Sequence, residues 1–350
     1  MRTPVSVGVV GNVRAAESIA LAFDLLPQAE LRWVCNRHWT GHPGFARRPE
    51  IRCTDRIDEI LEDEKVDAIA IAAPVAERRG LVAAALEADK HVYVNGALAS
   101  QADQAEKLLQ QARRRGRCLI AGELILADPA VDLVADLIRG GELGEVLYVR
   151  GERQIFGRAR GEDDLLWGAG AAHIALVLHI LGDEPVSVEA QGEAYLDVTA
   201  PDLLHCSLSF ATGINAQIEL SALDPRPLSR LAVVGTKATA VLDSSSATSA
   251  ARLAVFAKGA GERGQDNGSA FTPGDIFCPQ VTDDDPVRRT CVGFLDAIRT
   301  GAEPAATART ASIVAALEGI GRSLVRAASV ELGPSRPSQD LRLVSAPPAH

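Results

Sequence analysis

Residues 66–121 read VDAIAIAAPVAERRGLVAAALEADKHVYVNGALASQADQAEKLLQQARRRGRCLIA, and this stretch decides the fold. Val66–Ala72 is a largely apolar run with the turn residue Pro74 just beyond it. Arg78–Ala88 has helical spacing, His91–Val94 is again strand-like, Gln101–Arg115 is a long helix, and Cys118–Ala121 is a further strand. Strands alternating with helices of roughly 10–15 residues predict βαβ units and a parallel sheet. Continuous apolar strands, rather than alternating ones, fit a sheet covered on both faces.

The same rhythm extends toward the N-terminus. Val5–Val10 reads as a strand, Ala15–Leu26 as a helix, Leu31–Cys35 and Ile51–Cys53 as strands, and Ile57–Leu61 as a helix. After Pro129 the rhythm changes. Ala130–Arg139 is helical, Val146–Gln154 a strand and Leu165–Leu181 a long apolar helix. Strands then follow without intervening helices: Val186–Tyr195, Leu203–Phe210, Ile214–Ser221, Leu231–Val234, Ala240–Leu242 and Leu253–Phe256. Short turns such as Ala211-Thr212-Gly213 suit hairpins. Gly259–Asn267 reads as a surface loop, and helices return at Val287–Arg299 and Thr307–Ala328.

The expected architecture is α/β. A Rossmann-like, doubly wound parallel domain covers 1–122, an α+β domain with an open, mostly antiparallel sheet covers 123–333, and a Pro-rich tail covers 334–350. Leu204, Leu208, Ile214 and Ile218 are expected on the open face of the second sheet, which predicts a homo-oligomer, dimer or tetramer, through that face.

Composition bounds the partners. A chain of 350 residues exceeds what one core usually serves. Hydrophobic residues at 47% and charged residues at 23% fit a globular protein, and a net charge of −10 argues against nucleic acid. No apolar run reaches the roughly 18 uncharged residues of a membrane span. The start, MRTPVSVGVVGN, lacks signal-peptide regions, so a cytoplasmic protein is expected. The six cysteines are scattered without a CxxC pair, so they read as free thiols, and no metal site is expected. Arg113-Arg114-Arg115 suits a helix C-terminus.

Several blocks resemble the Gfo/Idh/MocA oxidoreductases, NAD(P)-dependent enzymes acting mainly on sugars, inositols and nucleotide sugars. They are VDAIAIAAP (Val66–Pro74), AALEADKHVYV (Ala84–Val94), ADPAVDLVADLIRGGELGEVLYVRGER (Ala127–Arg153) and DPVRRTCVGFLDAIRTGAEP (Asp285–Pro304). ERQIFGRARGEDDLLW and GDIFCPQVTDDDPVRR look most like the branch that oxidises UDP-linked N-acetyl sugars at carbon 3.

The resemblance implies a dinucleotide turn GxGxxG, and this chain has GNVRAA, Gly11 to Ala16. Gly11, Asn12, Val13, Asn36, Arg37, Ala73 and Pro74 are the implied cofactor residues. Val13 crowds the pyrophosphate approach, which predicts weak affinity or a lost cofactor. Asn36-Arg37, where relatives usually carry an acid, favours NADP over NAD. The family's EKP triplet is here Asn95-Gly96-Ala97, so its lysine is replaced. A gapless alignment from Trp167 to Gly182 puts Gly168 and Ala172 where the family's aspartate and histidine face the substrate, with His173 one residue beyond. A one-residue shift turns a helical side chain by about 100°, so His173 substitutes only if the helix starts differently.

His173, Glu123 and Asn95 are therefore the catalytic candidates, and Arg153, Arg158, Asp163, Asp164 and Trp167 the substrate candidates. The arginines suit a nucleotide diphosphate. The expected ligand is a small, sugar-like molecule. Three readings stay open: an atypical NAD(P) oxidoreductase, a repurposed non-redox enzyme, and a non-catalytic partner.

Overall fold

The computed structural model describes residues 3–11, 14–36, 48–156, 165–196, 200–246, 252–260, 271–302 and 309–332. They form two compact units. One comprises residues 1–128, 159–175 and 284–318, the other 129–158, 176–283 and 319–350.

The first unit holds β1 (Val5–Gly11), α1 (Arg14–Leu25), β2 (Ala29–Cys35), β3 (Arg52–Thr54), α2 (Ile57–Leu61), β4 (Ala68–Ala72), α3 (Val75–Glu87), β5 (His91–Asn95), α4 (Ala102–Arg115) and β6 (Leu119–Gly122). Its six strands run in the order β3-β2-β1-β4-β5-β6, all parallel, as the continuous apolar runs predicted. Every residue of β1 and β4 is buried, which an inner strand covered on both faces requires. Helix α4 ends with Arg113, Arg114 and Arg115 in its last turn and Gly116 in the left-handed conformation, φ 62°.

A helix far along the chain completes this core. It spans Pro286–Thr300 and is numbered α7, following α5 (Pro129–Arg139) and α6 (Ala171–Leu181). Asp285 caps it by accepting from Val287 N at 3.0 Å, with proline in the first turn. Phe294 meets Phe23 of α1 at 6.5 Å and Tyr93 of β5 at 6.0 Å between ring centroids. All three side chains are buried, and burial of each aromatic contributes about 2–3 kcal/mol.

The second unit carries a nine-stranded sheet. Its strands are β7 (Val146–Gln154), β8 (Pro185–Glu193), β9 (Leu203–Phe210), β10 (Asn215–Ser221), β11 (Leu228–Gly235), β12 (Ala238–Asp243), β13 (Leu253–Ala260), β14 (Phe271–Phe277) and β15 (Val330–Glu331). The order is β14-β13-β12-β11-β7-β10-β9-β8-β15. The hairpins are as expected, but β7 inserts between β10 and β11, parallel to the former and antiparallel to the latter. The sheet is therefore mostly antiparallel.

The expected open face needs correcting. Leu204, Leu208, Ile214 and Ile218 are at most 7% exposed within this single chain. They belong to the covered face, against which α8 (Thr310–Arg326) lies: Ser323 Oγ accepts from Ala190 N at 2.9 Å. Alternation along β9 sends His205 and Ser207 to the opposite face. There a groove of about 310 Å³ is lined by Arg150, Glu189, Gln191, His205, Gln217 and Glu219, so the open face beside β8, β9 and β10 is polar. The apolar argument for self-association through those four residues does not hold.

Candidate functional site at the carboxyl edge of the parallel sheet

Strand ends place the sequence candidates. Gly11 closes β1 and pairs with Ala72 at the end of β4. A Cβ on Gly11 would lie 2.0 Å from Ala72 O and 2.9 Å from Ala16 Cβ, so the glycine is required by close backbone approach. Ala16 is fully buried in α1. Asn36 follows β2 and is buried at 7% exposure, its amide standing where a carboxylate was expected in relatives. Ala73 and Pro74 follow β4, and Pro74 is the N-cap of α3. These four positions stand at the ends of β1, β2 and β4, where open α/β sheets bind ligands. Asn12, Val13 and Arg37, with the substrate candidates Arg158, Asp163 and Asp164, lie outside the described residues.

A dinucleotide fits what is described. Gly11 lies close to both Ala72 of β4 and Ala16 of α1, and the Asn36 amide can both accept from and donate to ribose oxygens.

The catalytic candidates divide. Asn95 ends β5 opposite Gly122 of β6, and Glu123 is the next residue, so the two stand on neighbouring strand ends. Tyr93 O–H donates to Asn95 Oδ1 at 3.3 Å. Burial pushes the Tyr93 phenol well above its ordinary range, and the Glu123 charge adds to this while Arg78 opposes it. Arg78 itself, 6% exposed, donates from Nε to Ala73 O at 2.6 Å and from Nη1 to Ala97 O at 2.8 Å. Sequence reasoning passed over Arg78 and Tyr93. A usable signal existed for the first: Arg78 lies in the opening turn of a helix, where the dipole disfavours a cation.

His173 is 1% exposed in α6, within the first unit. The long helix expected over Leu165–Leu181 begins instead with a π turn at Leu166–Gly170, in which Gly170 N donates to Leu165 O at 2.9 Å. A π turn absorbs one residue that an α-helix would place about 100° further round. His173 is the third residue of α6, which follows that turn directly. The helix thus starts differently from the continuous α-helix expected. Trp167 lies half-buried in that same turn, and Arg153 half-buried on β7 of the second unit.

Fold and site together define a chain with an NAD-binding type of Rossmann domain followed by an α+β domain. The profile described as "Oxidoreductase family, NAD-binding Rossmann fold" matches residues 5–123, and the GFO/IDH/MocA C-terminal domain matches residues 131–241. This chain belongs to the GFO/IDH/MocA oxidoreductase family.

Among curated relatives, the dTDP-3,4-didehydro-2,6-dideoxy-alpha-D-glucose 3-reductase of Actinomadura kijaniata is 31% identical over 144 residues, which is 41% of this chain and 43% of the relative. The match thus spans less than half the relative's length. A crystal structure of a 3-ketoreductase from Actinomadura kijaniata with NADP superposes with a TM-score of 0.78 at 21% identity, covering 92% of this chain and 98% of that one. The UDP-N-acetylglucosamine 3-dehydrogenase GnnA of Acidithiobacillus ferrooxidans gives 0.75 at 20% identity over 92% and 98%. At such identities the likeness shows the fold. Among the described residues, no helix is long and apolar enough to cross a membrane.

Proposed function

We propose that this chain is an NAD(P)-linked oxidoreductase with an atypical active site, acting on a sugar or nucleotide-sugar-like metabolite. The observation that carries the reading is the gathering of Gly11, Asn36, Ala73, Pro74 and Asn95 at one edge of one parallel sheet, in a chain of this family. Bound NAD(P) would take the hydride from the carbinol carbon, and the hydroxyl proton passes to a base of the protein. Arg37 makes NADP the favoured form, and Val13 keeps the affinity weak. Asn95 orients the substrate oxygen by hydrogen bonding, since an amide cannot accept a proton near neutral pH. His173 is the first choice of base, standing one residue beyond position 172 on a helix that opens with a π turn, and Glu123 is the second. Arg153, Arg158, Asp163, Asp164 and Trp167 hold the sugar and any diphosphate.

A second reading, a non-redox enzyme or a non-catalytic partner, is favoured by Gly96, Gly168 and Ala172 standing where the family's lysine, aspartate and histidine were expected. Mass spectrometry of small molecules released from denatured protein separates the two. A nicotinamide dinucleotide supports the redox reading, and its absence together with no calorimetric NADP binding sinks it. Once an activity is found, His173→Ala is expected to lower turnover by about 10²–10⁴-fold. If neither His173→Ala nor Glu123→Gln lowers turnover tenfold, the proton acceptor is elsewhere. Self-association through the open sheet face belongs to the same proposal, with polar contacts at the β8–β10 half, and is read by sedimentation.

A further inference from the structure

Residue 96 marks the place where the strand-end turn carries no side chain. Its backbone has φ +100°, a region that favours glycine. A Cβ built there would stand 2.6 Å from Arg78 Nη1 and 3.1 Å from both Cζ and Nη2. The obstacle is the head of a side chain that does not swing freely, because it is bonded to Ala73 O and Ala97 O and is 6% exposed. Those two acceptors follow different strands, β4 and β5. One guanidinium therefore ties two turns of the carboxyl edge together, in the volume where a side chain on residue 96 would begin.

We propose that Arg78, reaching in from α3, occupies the side-chain space of residue 96 and holds there the fixed positive charge of this edge, so that Arg78 and Gly96 are a coupled pair. Burying a cation carries a desolvation cost. A guanidinium held at the carboxyl edge, where open α/β sheets bind ligands, is placed where its charge can act on a ligand. Its purpose rests on the redox reading above: a guanidinium stabilises an oxygen on which negative charge develops. Arg78 is a positioning residue for that oxygen. A guanidinium carries donors and no acceptor, so the proton acceptor must be a separate group. Tyr93, Asn95 and Glu123 share the neighbourhood in which this charge is felt.

One consequence concerns restoration of a lysine. Placing it at Gly96 alone sets it against the guanidinium and forces it into a left-handed backbone, so the restoring change is Gly96→Lys together with Arg78→Ala.

Two measurements on the ligand-free full chain test the pair. The first is a thermal unfolding cycle over the parent, Arg78→Ala, Gly96→Lys and the double variant. Each single change is expected to lower Tm, while Arg78→Ala in the Gly96→Lys background raises it, because removing the guanidinium clears the space. Strict additivity overturns the shared-space argument, and Gly96→Ala carries the same test if the lysine variant does not fold. The second measurement places a thiol at the edge with Asn95→Cys and titrates it by thiolate absorbance against the parent. Its pKa is expected to rise by about one unit when Arg78→Gln is added. An unchanged thiol pKa reduces Arg78 to a structural brace and overturns the charge argument. Neither measurement needs a dinucleotide, so failure of NADP to bind sinks the proposed function and leaves this inference to stand or fall by itself.

Discussion

Lys90 at the amino edge of the parallel sheet and Arg78 at its carboxyl edge are both 6% exposed, and each donates to two main-chain carbonyls. Lys90 Nζ reaches Asp63 O at 2.9 Å and Val66 O at 2.8 Å, just ahead of β4. Burial draws the Lys90 ammonium below the ordinary lysine range, and the charges of Asp63, Asp67 and Glu64 pull it back. Asp67 also accepts from Ser6 N at 2.8 Å, joining the starts of β1 and β4. At that edge the cation is matched by carboxylates and braces backbone to backbone. At the carboxyl edge the cation ties the turns after β4 and β5 beside Gly96, with Tyr93 and Glu123 close by, on the side where strand ends of such sheets meet ligands. One cation braces the main chain ahead of β4, and the other ties the turns that follow β4 and β5.

The largest test of this contrast is Gly11→Ala. A Cβ 2.0 Å from Ala72 O meets backbone rather than a pliable side chain, so the ends of β1 and β4 must part. Denaturant unfolding is expected to show a loss of about 3 kcal/mol, accompanied by loss of any dinucleotide binding. A loss below about 1 kcal/mol would mean that this edge is pliable.

Lys90→Met breaks the other edge. It removes the Lys90 donor from the carbonyls of Asp63, which keeps Val66 N as a donor, and of Val66, which is expected to cost about 2 kcal/mol of stability. Ligand binding at the carboxyl edge should be unchanged. A drop in NADP affinity larger than the stability loss explains would show that the edges are not separable.

The smallest effect is pH-dependent. His91 Nδ1 accepts from Cys118 N at 3.0 Å, joining the starts of β5 and β6. Burial first, and the Arg117 charge second, lower its pKa from the ordinary value of 6.5. With the folded value below the unfolded one, its contribution is complete above pH 6.5 and is lost as pH falls through the folded value. Stability of the parent should therefore decline on acidification below that point, and His91→Asn should decline less steeply. Parallel curves would remove His91 from the account.

Much of the fold was legible because its signals are local. Continuous apolar runs at Val5–Val10 and Val66–Ala72 announce buried parallel strands, and the helix read over Val287–Arg299 starts one residue earlier, at Pro286, behind the Asp285 cap. Strand β14 escaped notice because Pro273 and Gly274 weaken its strand signal, and β15 because it has only two residues. The π turn escaped because an i→i+5 bond leaves no periodicity of its own in so short a stretch. Along β9 the alternation was visible, but a period of two separates two faces without saying which is covered. That depends on α8, more than 100 residues further along the chain.

The sequence by itself determined the two-part architecture and the family. Periodicity, turn chemistry and motif spacing act over a few residues and need no knowledge of what packs where. Only the tertiary structure decided what stands in the space of the missing side chain at residue 96. Arg78 belongs to a different helix, and it reaches Gly96 only because β4 and β5 are adjacent in the sheet, so that the first turn of α3 leans over the end of β5. Volume exclusion and hydrogen bonding act through space, and no spacing along the chain encodes them.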